Sequence, residues 1–422
     1  MPELRQIQQQ VEALRKTSET ARRNAIHALR QYKEGDFDPL PNSVVNSAVD
    51  SLLKCAVNCT SQPIIRHEIA IVLGNIGPRA KAAVPHLIEW LTDAYPNPVR
   101  EASAGALGKM GREARGAVAG LIQVLGSGRS ALILQAVRAL GSIGCADQRV
   151  KAALTDCWLQ PLPSQQLQVQ VGIALCKLGI DAKGLKRSLA NALIVNQEAS
   201  IRKAACEALS WCGENDSDVV PALLLAALND KNEDVRHSAD AALAHMGVKR
   251  EKAIGICAKQ LAESVYAETA LRKSGPTAVP ALMKALDRED PIVREKATRI
   301  LGCLGESASQ AIPALTKALK ARDNNIRLAA AKGLWSIGKQ AELVVPVLVK
   351  LLDEEPYSAV EAADARRNYL QTVIEALWRI GPAATAAIPR LQVKARDKNR
   401  LVKESALSAL KAISPTLEVK AR

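Results

Sequence analysis

Val293-Arg-Glu-Lys-Ala-Thr-Arg-Ile-Leu-Gly-Cys-Leu-Gly305 holds the pattern that decides the fold. At 100° per residue, Val293, Ala297, Ile300, Leu301 and Leu304 fall within one arc, as the buried face of an amphipathic helix does. Gly305 suits the left-handed position that ends a helix. Eight residues later comes Pro313, and a proline near the start of a second helix loses no hydrogen bond, because that N–H is unpaired anyway. Leu315 then points back at the first helix, and Asp323 marks the turn before the next unit.

The same closing tetrapeptide recurs on both sides. It reads Gly74-Asn-Ile-Gly77, Gly108-Lys-Met-Gly111, Gly141-Ser-Ile-Gly144, Cys176-Lys-Leu-Gly179, Ser210-Trp-Cys-Gly213 and Ala244-His-Met-Gly247. After Arg272-Lys-Ser-Gly275 and Gly302-Cys-Leu-Gly305 come Trp335-Ser-Ile-Gly338, Trp378-Arg-Ile-Gly381 and a worn Lys411-Ala-Ile-Ser414. Most steps are 33 to 35 residues; the exceptions are 28 and 30, ending at Gly275 and Gly305, and 43, ending at Gly381. Pro85, Pro221, Pro280, Pro346 and Pro389 repeat the role of Pro313. Two short helices cannot bury their apolar faces alone, but stacked at this period they bury them against one another. The expected fold is an all-α, right-handed α-solenoid of about eleven stacked hairpins.

Composition agrees. The 422 residues are 48% hydrophobic but 3% aromatic, with Phe37 the single phenylalanine. Alanine and leucine carry the apolar content beside helix-favouring lysine, arginine and glutamate. Residues 1–60 read as a helical cap, with helices near 5–31 and 43–58 and an acidic loop, Glu34-Gly-Asp-Phe-Asp-Pro39, between them. The repeats span 61–415, and 416–422 form a short basic tail. Irregular units are expected at 145–166, around 248–275, and near Glu354-Glu-Pro-Tyr-Ser-Ala-Val-Glu361, where ten residues are added.

Val99-Arg100 and Val293-Arg294 at first-helix starts, Ala139-Leu-Gly-Ser-Ile-Gly144 at a first-helix end and Ala83-Val-Pro-His-Leu87 in a second helix resemble HEAT repeats. The short period resembles the subtype shared with phycobilin lyases. The resemblance implies a shape more than a chemistry, and it carries over no catalytic residue.

Catalytic constellations are missing. His27, His67, His86, His237 and His245 lie in different parts of the array, outside any nucleophile or metal motif. There is no phosphate loop, no Gly-x-Ser-x-Gly and no His-Glu-x-x-His. Of nine cysteines, Cys55 and Cys59 share a helix face, but no further ligand completes a zinc site. The others read as small buried hydrophobes of a reducing compartment. No secretory signal is read at the start and no apolar run is long enough to span a membrane, so a cytoplasmic protein without cofactor or metal is expected.

The charge is +14 overall, and residues 361–422 carry 12 basic against 6 acidic side chains. Such a balance favours acidic partners. Arg66, Arg100, Arg202, Arg236, Arg294 and Arg327 recur in phase at first-helix starts, where they can bind anions or pair with turn aspartates such as Asp93, Asp230, Asp287 and Asp323. Lys284, Lys317 and Lys350 occupy one position on three successive second helices, extended by Lys320, Arg390, Lys394 and Arg396. They read as a positive column on the face conventionally concave, or as a solvated face whose lysines favour the helix dipole. Trp335 and Trp378 stand where other repeats have glycine; they are surface anchors for a partner or fillers of the groove between repeats. Trp90, Trp158 and Trp211 read as core or groove fillers, and Phe37 as cover for the cap.

The leading functional expectation is a non-catalytic scaffold binding a protein or peptide, an acidic one by charge. A phycobilin lyase-like enzyme or chromophore chaperone is the first alternative. A nucleic-acid-binding solenoid is the second, against which the acidic turns and near-neutral middle segments argue.

Overall fold

The computed structural model describes residues 2–16, 18–33, 35–58, 62–213, 216–354 and 363–415. Among them every regular element is helical. The chain divides into two compact units, Met1–Gly213 and Glu214–Arg422. The first opens with α1 (Pro2–Ala13), α2 (Glu19–Leu29) and α3 (Asn42–Asn58). Four hairpins follow: α4 (Pro63–Ile76) with α5 (Val84–Glu89), α6 (Asn97–Met110) with α7 (Val118–Leu125), α8 (Ser130–Ile143) with α9 (Gln148–Leu159), and α10 (Gln165–Lys177) with α11 (Leu185–Val195). It ends with α12 (Ala199–Ser210).

The second unit starts with α13 (Val219–Asn229). Its hairpins are α14 (Glu233–His245) with α15 (Arg250–Lys259), α16 (Ala267–Ser274) with α17 (Val279–Ala285), and α18 (Pro291–Cys303) with α19 (Ile312–Ala318). Then come α20 (Asn324–Gly338) with α21 (Ala341–Asp353), α22 (Ala363–Ile380) with α23 (Ile388–Lys394), and a last α24 (Arg400–Ile413). Each unit is thus a stack of helical hairpins, as the period predicts. No described helix is long and apolar enough to cross a membrane.

Glycine and proline act where expected, but through a longer connection than a plain turn. Gly77, Gly111, Gly275, Gly305 and Gly381 take positive φ, between 58° and 70°. Each then opens a 3-10 segment, such as Gly305–Ala311, whose alanines Ala308 and Ala311 are buried. The second helix begins only after it, with proline in its first turn in α5, α17, α19 and α23 but not in α7. The α20–α21 hairpin departs from this. Gly338 stays helical, Lys339 takes the positive φ instead (51°), and α21 starts early enough to enclose Pro346.

The N-terminal reading needs one correction. Helices near 5–31 and 43–58 become three, because the Ser18 hydroxyl accepts the Ala21 N–H and caps α2; a capping serine favours a break over a continuous helix. Phe37 is 1% exposed and meets Tyr32 edge-on. Arg79 ties the segment before α3 to the first hairpin, donating to the carbonyls of Phe37, Asp38 and Leu40 and to Asn42 Oδ1. Glu34, Cys59, residues 355–362 of the ten-residue addition and the tail 416–422 lie outside the described residues.

The recurring arginines are architecture, with a chemistry the turn aspartates only partly explain. Arg202, 2% exposed, donates to the carbonyls of Asn196 and Gln197. Arg236 donates to the Asp230 carbonyl, and Arg294 to those of Arg288 and Glu289. Arg100 pairs with the Asp93 carboxylate at 2.6 Å and also donates to the Leu91 carbonyl. Arg66 lies over the Tyr95 ring, and Arg327 reaches Glu354 and Asn324, not Asp323. A guanidinium has five donors and suits carbonyls left unpaired near a preceding helix end.

Among the other tryptophans, Trp90 and Trp158 are buried but Trp211 is 48% exposed, with Lys177 Nζ 6.0 Å from its ring. Trp211 lies just past α12, beyond the buried arc, so the groove-filling expectation fails there. Nearby, the buried Cys176 and Cys212 thiols touch at 3.4 Å. Their hydrogen bond, with burial second, pushes the Cys176 thiol far above its ordinary range.

First helices approach through small residues in a fixed register. A Cβ built on Gly74 would meet Ala106 Cα at 2.9 Å, one on Gly108 Ala139 Cα at 2.9 Å, and one on Gly302 Gly333 Cα at 2.8 Å. Residue three before each closing glycine thus faces residue five before the next. Gly302→Ala should destabilise the protein by about 1–3 kcal/mol, since the clash is with backbone. Urea unfolding checks this, and Gly128→Ala, with nothing within 4 Å but a positive φ, gives the strain-only comparison.

Candidate functional site

The glycine register is interrupted between α20 and α22. Gly302 rests on Gly333, and by the same spacing residue 335 should rest on Ala376. Residue 335 is tryptophan. There α20 and α22 barely touch, whereas α18 packs along α20, and α22, with Trp378 in the corresponding position, packs along α24. Between α20 and α22 lies a cleft of about 940 Å³, with Trp335 and Ala376 both on its wall.

Val344 and Leu348 of α21 line it as well, and Leu328, Tyr369 and Ile380 add apolar surface. Asn325, Asn368 and Thr372 supply polar groups. Its charged residues are Glu295 against Arg299, Lys332, Lys339 and Arg379, a surplus of three positive charges. Arg299 pairs with Glu268 at 2.8 Å and Arg379 with Glu375 at 2.7 Å. Lys339 Nζ stands 5.0 Å from the centroid of the Trp335 ring, a cation–π contact. Lys332 is exposed and has no ion-pair partner among the described residues. Cys303, also exposed, lines the cleft.

The eight candidate residues therefore do not form one site. Trp335 belongs to the cleft. Trp378, 49% exposed, lines a smaller hollow of about 290 Å³ between α22 and α24 with Leu401, Glu375 and Glu404. The basic residues stand on or just after the second helices instead: Lys284 on α17, Lys317 on α19, Lys320 just after it, Lys350 on α21, and Arg390 and Lys394 on α23. All but the half-buried Lys394 are exposed. Carboxylates already hold three of them. Lys317 meets Asp287 at 3.5 Å, Lys350 meets Glu354 at 3.3 Å and Arg390 meets Asp353 at 3.1 Å.

The sequence reading noticed tryptophan in a glycine position and the extra ten residues beside it. It did not connect them to a gap, because that step needs the contact register between helices. Tyr369, Asn368, Thr372, Lys332, Lys339 and Arg379 carry no repeat-phase signal and were missed. Among the described residues no group of three or more His, Cys, Asp or Glu side chains is placed to hold a metal ion.

Below the cleft, Arg366 of α22 pairs with Asp397 in the turn before α24 at 3.0 Å. Burial alone would raise the Asp397 carboxyl; the Arg366 guanidinium and the Asn399 N–H outweigh it and hold the group below its ordinary 3.8. A depressed folded value means that this stabilisation is present above 3.8 and is lost as the pH falls through the folded value. Between about pH 5 and about pH 3 the protein should lose more stability than Asp397→Asn does. Urea midpoints measured across that range decide it; parallel curves would exclude the pair as an acid-sensitive contact.

A family model of HEAT repeats matches residues 7–108, 84–165 and 279–367, more than half of the chain. No curated protein matches it in sequence. Among solved structures, a chain from work on a conserved phosphorylation switch controlling the interaction between cadherin and beta-catenin is 14% identical. It has a TM-score of 0.36, over 96% of this chain and 99% of that one. Kap121p bound to Nup53p is also 14% identical, with a TM-score of 0.40 over 96% of this chain and 49% of Kap121p. Yeast importin-beta, Kap95p, gives 14% and 0.40 over 98% of this chain and 64% of its own. The chain spans about half the length of Kap121p.

Proposed function

The chain belongs to the HEAT-repeat family, and from that premise we propose that it is a non-catalytic scaffold for an acidic protein or peptide partner. The observation that carries this is the cationic cleft of the second unit, lined by Trp335, Arg299, Lys332, Lys339 and Arg379. Interfaces draw most of their affinity from a few aromatic and arginine anchors, with charge steering the encounter. Stacked hairpins supply a long surface for such contacts, and no nucleophile–base pair or metal ligand set was read in the sequence. A cytoplasmic setting fits the eight described cysteines, which form no disulfide with one another.

The second-helix row, Lys284, Lys317 and Lys350 with Lys320, Arg390 and Lys394, is proposed as the wider electrostatic surface for the same partner. Trp378 is proposed as a lesser anchor beside it. The carboxylates that pair with Lys317, Lys350 and Arg390 are exposed or nearly so, and exposed pairs hold their partners by at most about 1 kcal/mol. An incoming polyacid can therefore compete for them.

A second reading, a phycobilin lyase or chromophore chaperone, draws on the short repeat period and on the volume of the cleft. A bilin added to the protein would then show a saturable change in its visible absorption, abolished by filling the cleft at Ala376→Trp. An unsaturable spectrum removes that reading.

The scaffold reading is tested with poly-glutamate. Replacing Lys284, Lys317 and Lys350 together by glutamate should weaken its binding about tenfold, the sum of three exposed pairs reversed. Unchanged affinity would sink the basic row as a partner surface. Duplex DNA added at about 0.15 M salt should bind weakly and without saturation.

A further inference from the structure

The cleft between α20 and α22 has a more specific meaning, which rests on the scaffold reading above. We propose that it receives a bulky aromatic side chain carried by an extended acidic segment of the partner, with the flanking carboxylates on Lys332 and Lys339.

Three features of the cleft point to that occupant. The first is its shape and lining. A cavity of about 940 Å³ exceeds what one ring fills, so it takes a side chain together with its flanking backbone. The part-exposed Trp335 ring offers aromatic surface, while Tyr369 and Leu328, 5% and 6% exposed, border it and Val344 and Leu348 lie buried behind. A ring placed there finds offset or edge-on partners as well as burial.

The second feature is hydrogen bonding. Asn325 and Asn368 carry amides able to donate and accept, which is what an extended backbone requires on entering a groove. The third is charge. Arg299 and Arg379 are engaged by Glu268 and Glu375, which leaves Lys332 and Lys339 as the cations of the wall not held by a carboxylate. They lie seven residues apart on α20 and its C-terminal cap, two turns of helix, and so can meet acidic residues on either side of the inserted ring.

The cause of the cleft supplies its test. If Trp335 is the wedge, Trp335→Gly restores the glycine register, lets residue 335 rest on Ala376, and closes the space. Lys332→Glu changes charge on an exposed position and leaves the packing alone.

The probes are a random glutamate–tyrosine copolymer and poly-glutamate, each titrated against the full chain, with helicity checked by circular dichroism. Maleimide labelling of Cys303, followed by peptide mapping, reports occupancy at the cleft itself. The copolymer should bind the unaltered protein about tenfold more tightly than poly-glutamate, as one buried ring allows, and should slow labelling of Cys303. Trp335→Gly should erase that advantage while poly-glutamate binding persists, and Lys332→Glu should reduce it with the fold intact.

Equal affinity for the two polymers would overturn the proposal. So would Cys303 labelling at an unchanged rate, or a folded Trp335→Gly that keeps the copolymer advantage. Single-stranded DNA protecting Cys303 better than the copolymer would overturn the peptide assignment. Loss of poly-glutamate binding alone would remove the basic row and leave the cleft; loss of both would remove the scaffold reading as well.

Discussion

Close approach of the first helices, one glycine against one small residue of the next hairpin, is the contact on which the stacking depends. At Gly108 and Ala139, or Gly302 and Gly333, a methyl group would already intrude on backbone. The apolar arcs of Val293, Ile300 and Leu301, or of Leu132, Ala136 and Leu140, are then driven into the interior between first and second helices. Burial supplies the driving force, and the glycine register decides how near the helices come. Arg100, Arg202, Arg236 and Arg294 then secure the turns between hairpins, each donating to a carbonyl just past the end of the preceding second helix.

Much of this was legible from residues alone because it is periodic. Leu-Gly and Val-Pro pairs at a spacing of 33 to 35 locate both helices of a hairpin, and composition excludes strands. Features that depend on local competition were not legible. Ser18 divides what hydrophobic periodicity joins, since a single hydroxyl at the right place outweighs weak helix propensity. The 3-10 segments after the closing glycines are invisible because alanine suits them as well as an α-helix. Pro346 follows its siblings in phase yet sits inside a helix, for Lys339 takes the left-handed step that Gly338 was expected to take.

The candidate site shows the same division. Trp335 and Trp378 share a sequence position and part company in space. One lines the cleft between two separated helices with a lysine over its ring; the other is half exposed beside Leu401 and two glutamates. No periodic pattern distinguishes them, because the outcome depends on what the following helix presents. The lysine column was legible as an alignment, but its pairing with Asp287 and Glu354 was not, as those carboxylates come from turns whose direction only the folded hairpin fixes.

The parting of α20 and α22 also has a consequence for how the second unit comes apart. In a stacked array each hairpin is cooperative with the next through their shared interface, and the strength of that coupling sets how far an opening spreads. Where α20 and α22 part, the coupling falls to what α21 alone provides, and the chain beyond gains a measure of thermodynamic independence. The segment from α22 to α24 should then open as one block, at lower free energy than α18 to α20, a difference readable in native-state hydrogen exchange. The gap between α20 and α22 thereby gives the terminal block a way to breathe without unzipping its neighbours.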